Sequence, residues 1–135
     1  MPGYSGNPLW KKLGLKPGMV ALVEGAPKDY PTLLDLPADI KVTWTTKLTA
    51  QTALVHVFAT KLAPLAARLK ALRPAIVPDA AIWVSWPKKA AKVPTDITED
   101  RIREIALPLG FVDIKVCAVS EVWSGLKLVI RRSER

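Results

Sequence analysis

The stretch that decides the fold is FVDIKVCAVSEVWSGLKLVIRR, residues 111–132, close to the end of the chain. It contains two apolar segments, Phe111–Val119 and Leu126–Arg132, joined by a short connection that ends at Ser124 and Gly125. Apolar runs of this length with turn residues between them are typical of β-strands. Because the connection is short, we expect the two strands to pair antiparallel.

Four further strands are predicted before this pair, each from a short apolar run. Such runs are typical of strands that are buried on both faces of a sheet. Helical segments separate most of them, and this alternation predicts a parallel sheet with right-handed crossovers. The four runs are Met19–Val23, Ile40–Trp44, Thr52–Ala59 and Ala80–Trp86.

The segments between the strands carry helix signals. The longest helix is predicted from Thr60 to about Arg73, because leucines recur there at helical spacing and Pro74 follows. Another is predicted after Thr98, a good N-cap residue that is followed by two acidic residues. Two shorter helices are predicted over Leu9–Leu15 and Tyr30–Leu36.

These elements predict one α/β domain over residues 1–135, with residues 1–8 as an irregular N-terminal arm. The domain has three layers, with helices on both faces of a mostly parallel six-stranded sheet. We expect the last strand to insert beside the fourth, which gives the strand order 2-1-3-4-6-5 and an antiparallel C-terminal pair.

Several stretches resemble the class I fold of S-adenosylmethionine-dependent methyltransferases, which is Rossmann-like. Leu13–Gly18 is similar to the lead-in to the first strand of that fold, Pro78–Val84 to its fifth strand, and Gly110–Val112 to the start of its final strand pair. The resemblance implies a shortened domain. Only 28 residues separate Glu24 from Ala53, so one strand–helix unit of the full fold is missing.

A second resemblance spans nearly the whole chain and is to the bacterial domain-of-unknown-function family number 3052. It implies the same fold and leaves the activity open. It is carried by the stretches Gly3–Gly6, Trp86–Lys89, Thr95–Asp100, Lys115–Val119 and Trp123–Leu126.

The devices with which a methyltransferase of this fold holds its cofactor are incomplete here. The resemblance implies a glycine-rich loop after the first strand and a carboxylate at the end of the second, for the ribose hydroxyls. The loop Glu24–Tyr30 has one glycine, and the second strand ends Trp44-Thr45-Thr46 without an acid. We therefore favour a non-enzymatic ligand-binding or regulatory domain with no resident cofactor. A diverged methyltransferase is the alternative.

Open α/β sheets bind ligands at the carboxyl ends of their strands. Lysines in the loops at that edge, near the N-terminus of the helix after Thr98, predict a site for an anionic small molecule or an acidic protein. The alternative is a solvated loop that only connects two elements. The predicted ligand-binding residues are Glu24, Gly25, Lys28, Lys61, Trp86, Lys88, Lys89, Thr95 and Asp96.

The formal net charge of +8 leaves two further partners open. Nucleic acid is a third functional hypothesis, which rests on charge alone. Few aromatic residues alternate with the lysines, so no stacking platform for single strands is predicted. A free sheet edge could also support a homodimer.

The single histidine and single cysteine restrict the chemistry. His56 lies between two valines of the third strand, which favours a core residue, and Cys117 lies in an apolar strand, which favours a buried, unreactive thiol. A structural zinc site needs about four ligands, so no metal site is expected. With one cysteine, no signal pattern and no apolar run of about 20 residues, we expect a cytoplasmic protein without a membrane span.

Overall fold

The computed structural model describes residues 7–135. Residues 1–6, which hold most of the predicted arm and the stretch Gly3–Gly6, lie outside the described residues. In chain order the helices and strands are α1 (Leu9–Leu13), β1 (Val20–Glu24), α2 (Tyr30–Leu34), β2 (Thr43–Thr45), β3 (Thr52–Phe58), α3 (Leu62–Ala75), β4 (Ala81–Pro87), α4 (Glu99–Ala106), β5 (Phe111–Ala118) and β6 (Trp123–Ile130). Short 3-10 turns lie at Lys89–Ala91, Leu107–Leu109 and Arg132–Glu134.

The strands form one six-stranded sheet in the order β2-β1-β3-β4-β6-β5. β1 pairs parallel with β2 and with β3, and β3 pairs parallel with β4. β6 lies between β4 and β5 and is antiparallel to both. The predicted strand order and the antiparallel C-terminal pair are confirmed.

Each face of the sheet is covered by two helices, so the predicted three-layer α/β arrangement is also confirmed. On one face, leucines of α1 and Tyr30 of α2 pack against Trp83, which is fully buried. On the other face, Leu69 of α3 and Ile102 of α4 pack against the opposite side of the same strands. α4 begins as predicted, because the Thr98 Oγ1 atom accepts a hydrogen bond from the Arg101 amide.

The missing strand–helix unit is replaced by a short crossover, residues 46–51, between β2 and β3. Two parallel strands are ordinarily joined by a dozen or more residues. Six suffice here because β2 has only three residues and pairs with Val20–Leu22 at the start of β1. Leu48 of the crossover packs against the core on the α3 side. The crossover therefore passes over that face of β1.

Two predicted strand starts are wrong by three residues. β2 begins at Thr43 instead of Ile40, and β6 begins at Trp123 instead of Leu126. Gly125 lies inside β6, where a Cβ atom would approach a Val119 methyl carbon to 3.0 Å and the Trp83 ring to 3.3 Å. The glycine thus gives the strand room to pack, and it does not make the turn that its sequence suggests.

The longest helix in the described part of the chain is α3, with 14 residues, and it continues past Pro74 to Ala75. Within residues 7–135, no helix is long and apolar enough to cross a membrane. The same range contains no group of three or more histidine, cysteine or acidic side chains that could hold a metal ion.

Candidate functional site

A pocket of about 390 Å³ lies where the strand order of the sheet reverses. From β1 the chain continues to β2 on one side and then to β3 on the other, so the reversal lies between β1 and β3. In open α/β sheets, ligands bind at the carboxyl ends of the strands that flank such a point. The pocket, called the switch-point pocket below, is lined by Glu24, Gly25, Val57, Phe58, Ala59, Thr60, Lys61, Pro64, Leu65 and Arg68.

Gly25 forms the turn that closes the β1 side of this pocket. Its φ angle of +70° lies in the left-handed region, and a Cβ atom here would lie 2.8 Å from the carbonyl oxygen of Phe58. Only glycine avoids both the backbone strain and the clash. The space above Gly25 is therefore filled by the end of β3.

The acid of the switch-point pocket is held in an ion pair. Arg68 donates from Nε to Glu24 Oε1 at 2.8 Å and from Nη2 to Oε2 at 2.5 Å. These hydrogen bonds to Glu24 raise the pKa of Arg68, although partial burial acts in the opposite direction. Both side chains keep about a third of their surface exposed, so the pair contributes at most about 1 kcal/mol to stability.

Arg68 was not among the predicted site residues. It follows Pro64 by four positions and Leu65 by three, and all three line the pocket from one side of α3. That spacing and the position of Glu24 at the end of β1 are the sequence features that indicate the Glu24–Arg68 ion pair.

Thr95 and Asp96 lie at the N-terminal end of α3 and hold it in place. The Asp96 carboxylate accepts a hydrogen bond from the Leu62 amide at 2.7 Å, and the Thr95 hydroxyl donates to the Thr60 carbonyl at 2.7 Å. Thr60 and Lys61 line the pocket, so this loop fixes one of its walls. Asp96 thus acts as a helix cap contributed by a distant segment of the chain, and Thr95 anchors the residue before the N-cap Lys61.

The predicted convergence of four lysines stays a prediction. Of Lys28, Lys61, Lys88 and Lys89, the structure places Lys61 alone in the described lining of the pocket. Lys28 and Lys89 are exposed in separate loops, and the Lys88 amide donates to the Val122 carbonyl at 2.7 Å, beside the β5–β6 connection.

Trp86 is also absent from the pocket lining. It is 7% exposed and belongs to the apolar core between the sheet and the α3–α4 layer. Trp83 belongs to the core of the opposite face, so the two tryptophans face opposite sides as expected. Whether Trp86 or the three lysines outside the pocket bind a ligand stays a prediction.

His56 is a core residue, as predicted, and it is fully satisfied by neutral partners. Its Nδ1 atom lies 2.8 Å from the Tyr30 hydroxyl, and its Nε2 atom lies 2.8 Å from the Ser85 hydroxyl. Its ring also stacks on Phe58. Burial lowers the pKa of His56 to about 3 and raises the pKa of Tyr30.

Ser85, His56 and Tyr30 are arranged like the nucleophile, the base and the orienting group of a catalytic triad. His56 and Ser85 both have zero exposed surface, and Tyr30 has 5%. A substrate has no access to a hydroxyl buried in this way. The trio is therefore a structural network in the core.

The sheet and its helices match solved structures of methyltransferases. An S-adenosylmethionine-dependent methyltransferase from Aquifex aeolicus superposes with a TM-score of 0.63 at 16% identity, over 89% of this chain and 86% of that one. The fold is that of the S-adenosylmethionine-dependent methyltransferases. Magnesium protoporphyrin IX methyltransferase from Synechocystis matches the same fold with a TM-score of 0.54 at 13% identity, over 91% of this chain and 74% of that chain.

LepI, solved in complex with S-adenosylmethionine, is also similar to this chain in structure. It matches with a TM-score of 0.55 at 11% identity, over 93% of this chain, which spans about half (47%) of the LepI chain. No family model and no curated protein matches the chain. Membership of family number 3052 therefore stays a prediction.

The residues present fit the cofactor of the methyltransferase fold only in part. The pocket has the place and the volume of a small-molecule site, for which about 300–1,000 Å³ is usual. The carboxylate that would take the ribose is absent, since β2 ends at Thr45. The space that a cofactor-binding glycine leaves open is taken by Phe58 at Gly25.

Proposed function

We propose that this chain is a diverged protein of the methyltransferase fold that binds S-adenosylmethionine in the switch-point pocket. The observation that carries the proposal is the position of that pocket, at the carboxyl ends of β1 and β3 where the strand order reverses. The methyltransferase fold of the whole sheet supports the choice of ligand.

Different parts of the pocket lining suit different parts of S-adenosylmethionine. Val57 and Leu65 offer an apolar wall for a flat base, while Phe58 borders the pocket with its backbone. Lys61 is exposed at the N-terminal end of α3 and offers an ammonium group to the ligand carboxylate. The pocket lining identifies no acceptor for a methyl group, so binding is the activity proposed.

The test is a titration of the purified chain with S-adenosylmethionine, and separately with S-adenosylhomocysteine, by calorimetry and thermal shift. A bound ligand at about 100 times its Kd stabilises the folded state by about 2.7 kcal/mol. The variant Ala59→Leu adds bulk to the pocket lining and is expected to abolish binding. Ala67→Leu makes the same change on the exposed side of α3 and is expected to bind normally.

The proposal fails if neither ligand produces a saturable signal at millimolar concentration. It also fails if Ala59→Leu binds as tightly as Ala67→Leu while both variants remain folded. In that case the ligand would bind elsewhere, and the switch-point pocket would have no part in it.

A second candidate function uses the same pocket without S-adenosylmethionine. Lys61 and Arg68 carry two positive charges against the single carboxylate of Glu24, which favours an anionic ligand held by a non-enzymatic domain. Lys61→Glu reverses one of these charges, and Lys47→Glu makes the same change at an exposed position outside the pocket lining. In a screen of acidic metabolites, loss of binding in the first variant alone would favour this function.

A further inference from the structure

A second pocket, of about 290 Å³, lies on the far side of the sheet from the switch point. It is formed between α1 and β5, and β5 is the edge strand at the opposite end of the sheet from β2. Its lining consists of Asn7, Lys11, Lys12, Lys115, Val116, Cys117 and Ala118. No carboxylate is among these residues, and we call this site the basic pocket.

The lysines of the basic pocket come from distant parts of the sequence. Lys12 is buried, and its Nζ atom donates a hydrogen bond to the Ala118 carbonyl at 3.2 Å, which joins α1 to β5. Lys115 lies directly opposite Lys127 of β6 in the antiparallel pair. Like charges in directly opposite positions destabilise a sheet.

Lysines act electrostatically on two groups at this site, Lys127 and Cys117. Burial lowers the pKa of Lys127, and the neighbouring charges of Lys115 and Lys16 lower it further. Burial raises the pKa of Cys117, against the opposing effect of Lys12 and Lys115. Each of the neighbouring charges that affects these two groups is a lysine. An anion in the pocket would relieve the repulsion.

Like charges that lie close together around a cavity repel one another, which is unfavourable for the stability of the fold. Locally unfavourable arrangements of this kind are expected mainly at functional sites. Lysine ammonium groups are compact, strongly hydrated donors that bind phosphate as point charges. Among residues 7–135, the lining has no aromatic side chain on which a base of a nucleic acid would stack, and the cavity has the size of a small molecule.

We propose that the basic pocket binds a small phosphorylated compound, held by Lys11, Lys12 and Lys115 with Lys127 beside them. This site is separate from the switch-point pocket and does not depend on its function. The ligand class is a compact polyanion, and inorganic pyrophosphate is its simplest representative.

The experiment measures pyrophosphate binding by calorimetry at low salt. Lys11 and Lys115 are exposed, so the double variant Lys11→Ala/Lys115→Ala is expected to fold normally. Each lost charge-assisted hydrogen bond weakens binding by about tenfold. The matched control is Lys47→Ala/Lys70→Ala, which removes the same charge from exposed positions outside the described lining and is expected to change Kd less than about twofold.

Cys117 is only partly buried, so the sequence-based expectation of a buried thiol is wrong. It is the only cysteine of the chain and lines the basic pocket, and it therefore provides a second measurement. Bound pyrophosphate is expected to slow alkylation of Cys117 by iodoacetamide, since it covers the thiol and places negative charge beside it. Sodium chloride at equal ionic strength is expected to have no such effect. The double variant is expected to lose the protection.

The proposal is overturned if the native chain does not bind pyrophosphate, or if both double variants bind it equally well. It is also overturned if a single-stranded oligonucleotide binds with the same dependence on Lys11 and Lys115 while pyrophosphate does not. That result would assign the pocket to a nucleic-acid backbone. S-adenosylmethionine binding is expected to be unchanged in the double variant, which keeps the two proposals distinguishable.

Discussion

Acidification is expected to destabilise this protein through one residue, His56. The imidazole is buried and neutral, between the hydroxyls of Tyr30 and Ser85. A neutral ring offers one donor and one acceptor, which these two hydroxyls complete. A protonated ring would offer two donors, and its charge would lie in an apolar core. Protonation therefore favours the unfolded chain, in which the ring is in water.

The size of the effect follows from the two pKa values of His56. The value is about 3 in the folded state and about 6.5 in the unfolded state. The unfolded chain therefore binds the extra proton first as the pH falls. Below pH 6.5 the free energy of unfolding drops by about 1.4 kcal/mol for each pH unit. Between about pH 8 and pH 5 the loss is about 2 kcal/mol.

The assay is urea unfolding, followed by the fluorescence of the five tryptophans, at several pH values. The chain has a single histidine, so the variant His56→Gln removes the group that titrates in this range. We expect a steep pH dependence in the native chain and a nearly flat one in the variant. Equal slopes in both, or a flat profile in the native chain, would refute the reasoning.

If His56→Gln does not fold, NMR of the native chain decides the question. The ring signals of the one histidine are expected to keep their neutral chemical shifts down to about pH 4. Titration of those signals near pH 6.5 in the folded protein would contradict the buried, neutral state.

Three further predictions concern stability in the same urea assay. Gly25→Ala is expected to lose about 1–3 kcal/mol or more, because strain at positive φ is joined by a clash with Phe58. Asp96→Ala removes the acceptor for the Leu62 amide and is expected to cost about 1 kcal/mol. Thr98→Ala removes the N-cap of α4, and we expect a similar loss.

Each of the three has a matched control. Gly18→Ala is strained by a φ of +81° but has open space around the added methyl group, so it is expected to cost less than Gly25→Ala. Asp96→Asn and Thr98→Ser keep an oxygen acceptor and are expected to retain most of the stability. An equal loss in variant and control would contradict the clash at Gly25, the cap at Asp96 or the cap at Thr98, respectively.

The sheet was predictable because its strands are buried on both faces. Continuous apolar runs such as Thr52–Phe58 mark central parallel strands, and the short connection after β5 marks an antiparallel pair. The predicted strand boundaries were less accurate where a glycine that is typical of turns lies inside a strand and makes room for its neighbours. Gly125 is such a case, since its small size is required by Trp83 of β4 and by Val119, which directly follows β5.

The candidate sites were predictable only in part, because side-chain convergence depends on the paths of loops. Glu24, Gly25 and Lys61 lie together as expected, since they end or follow neighbouring parallel strands. Arg68 lies in mid-helix, away from the strand ends to which the rule applies. The basic pocket joins Lys12 to Lys115 across more than a hundred positions, through contacts that local periodicity does not encode.

The six-residue crossover at 46–51 also has a mechanical consequence. Fully extended, a segment of this length reaches about 20 Å, and it must cover two strand spacings of about 4.8 Å each while it passes over β1. The remaining length is taken up by the path over β1 and by the turn in which the Thr52 amide donates to the Thr49 carbonyl, so a large displacement of β2 from β1 would pull on β3. We expect the switch-point pocket to widen through movement of the turn after β1, while the strands on both sides of it move as one tethered unit.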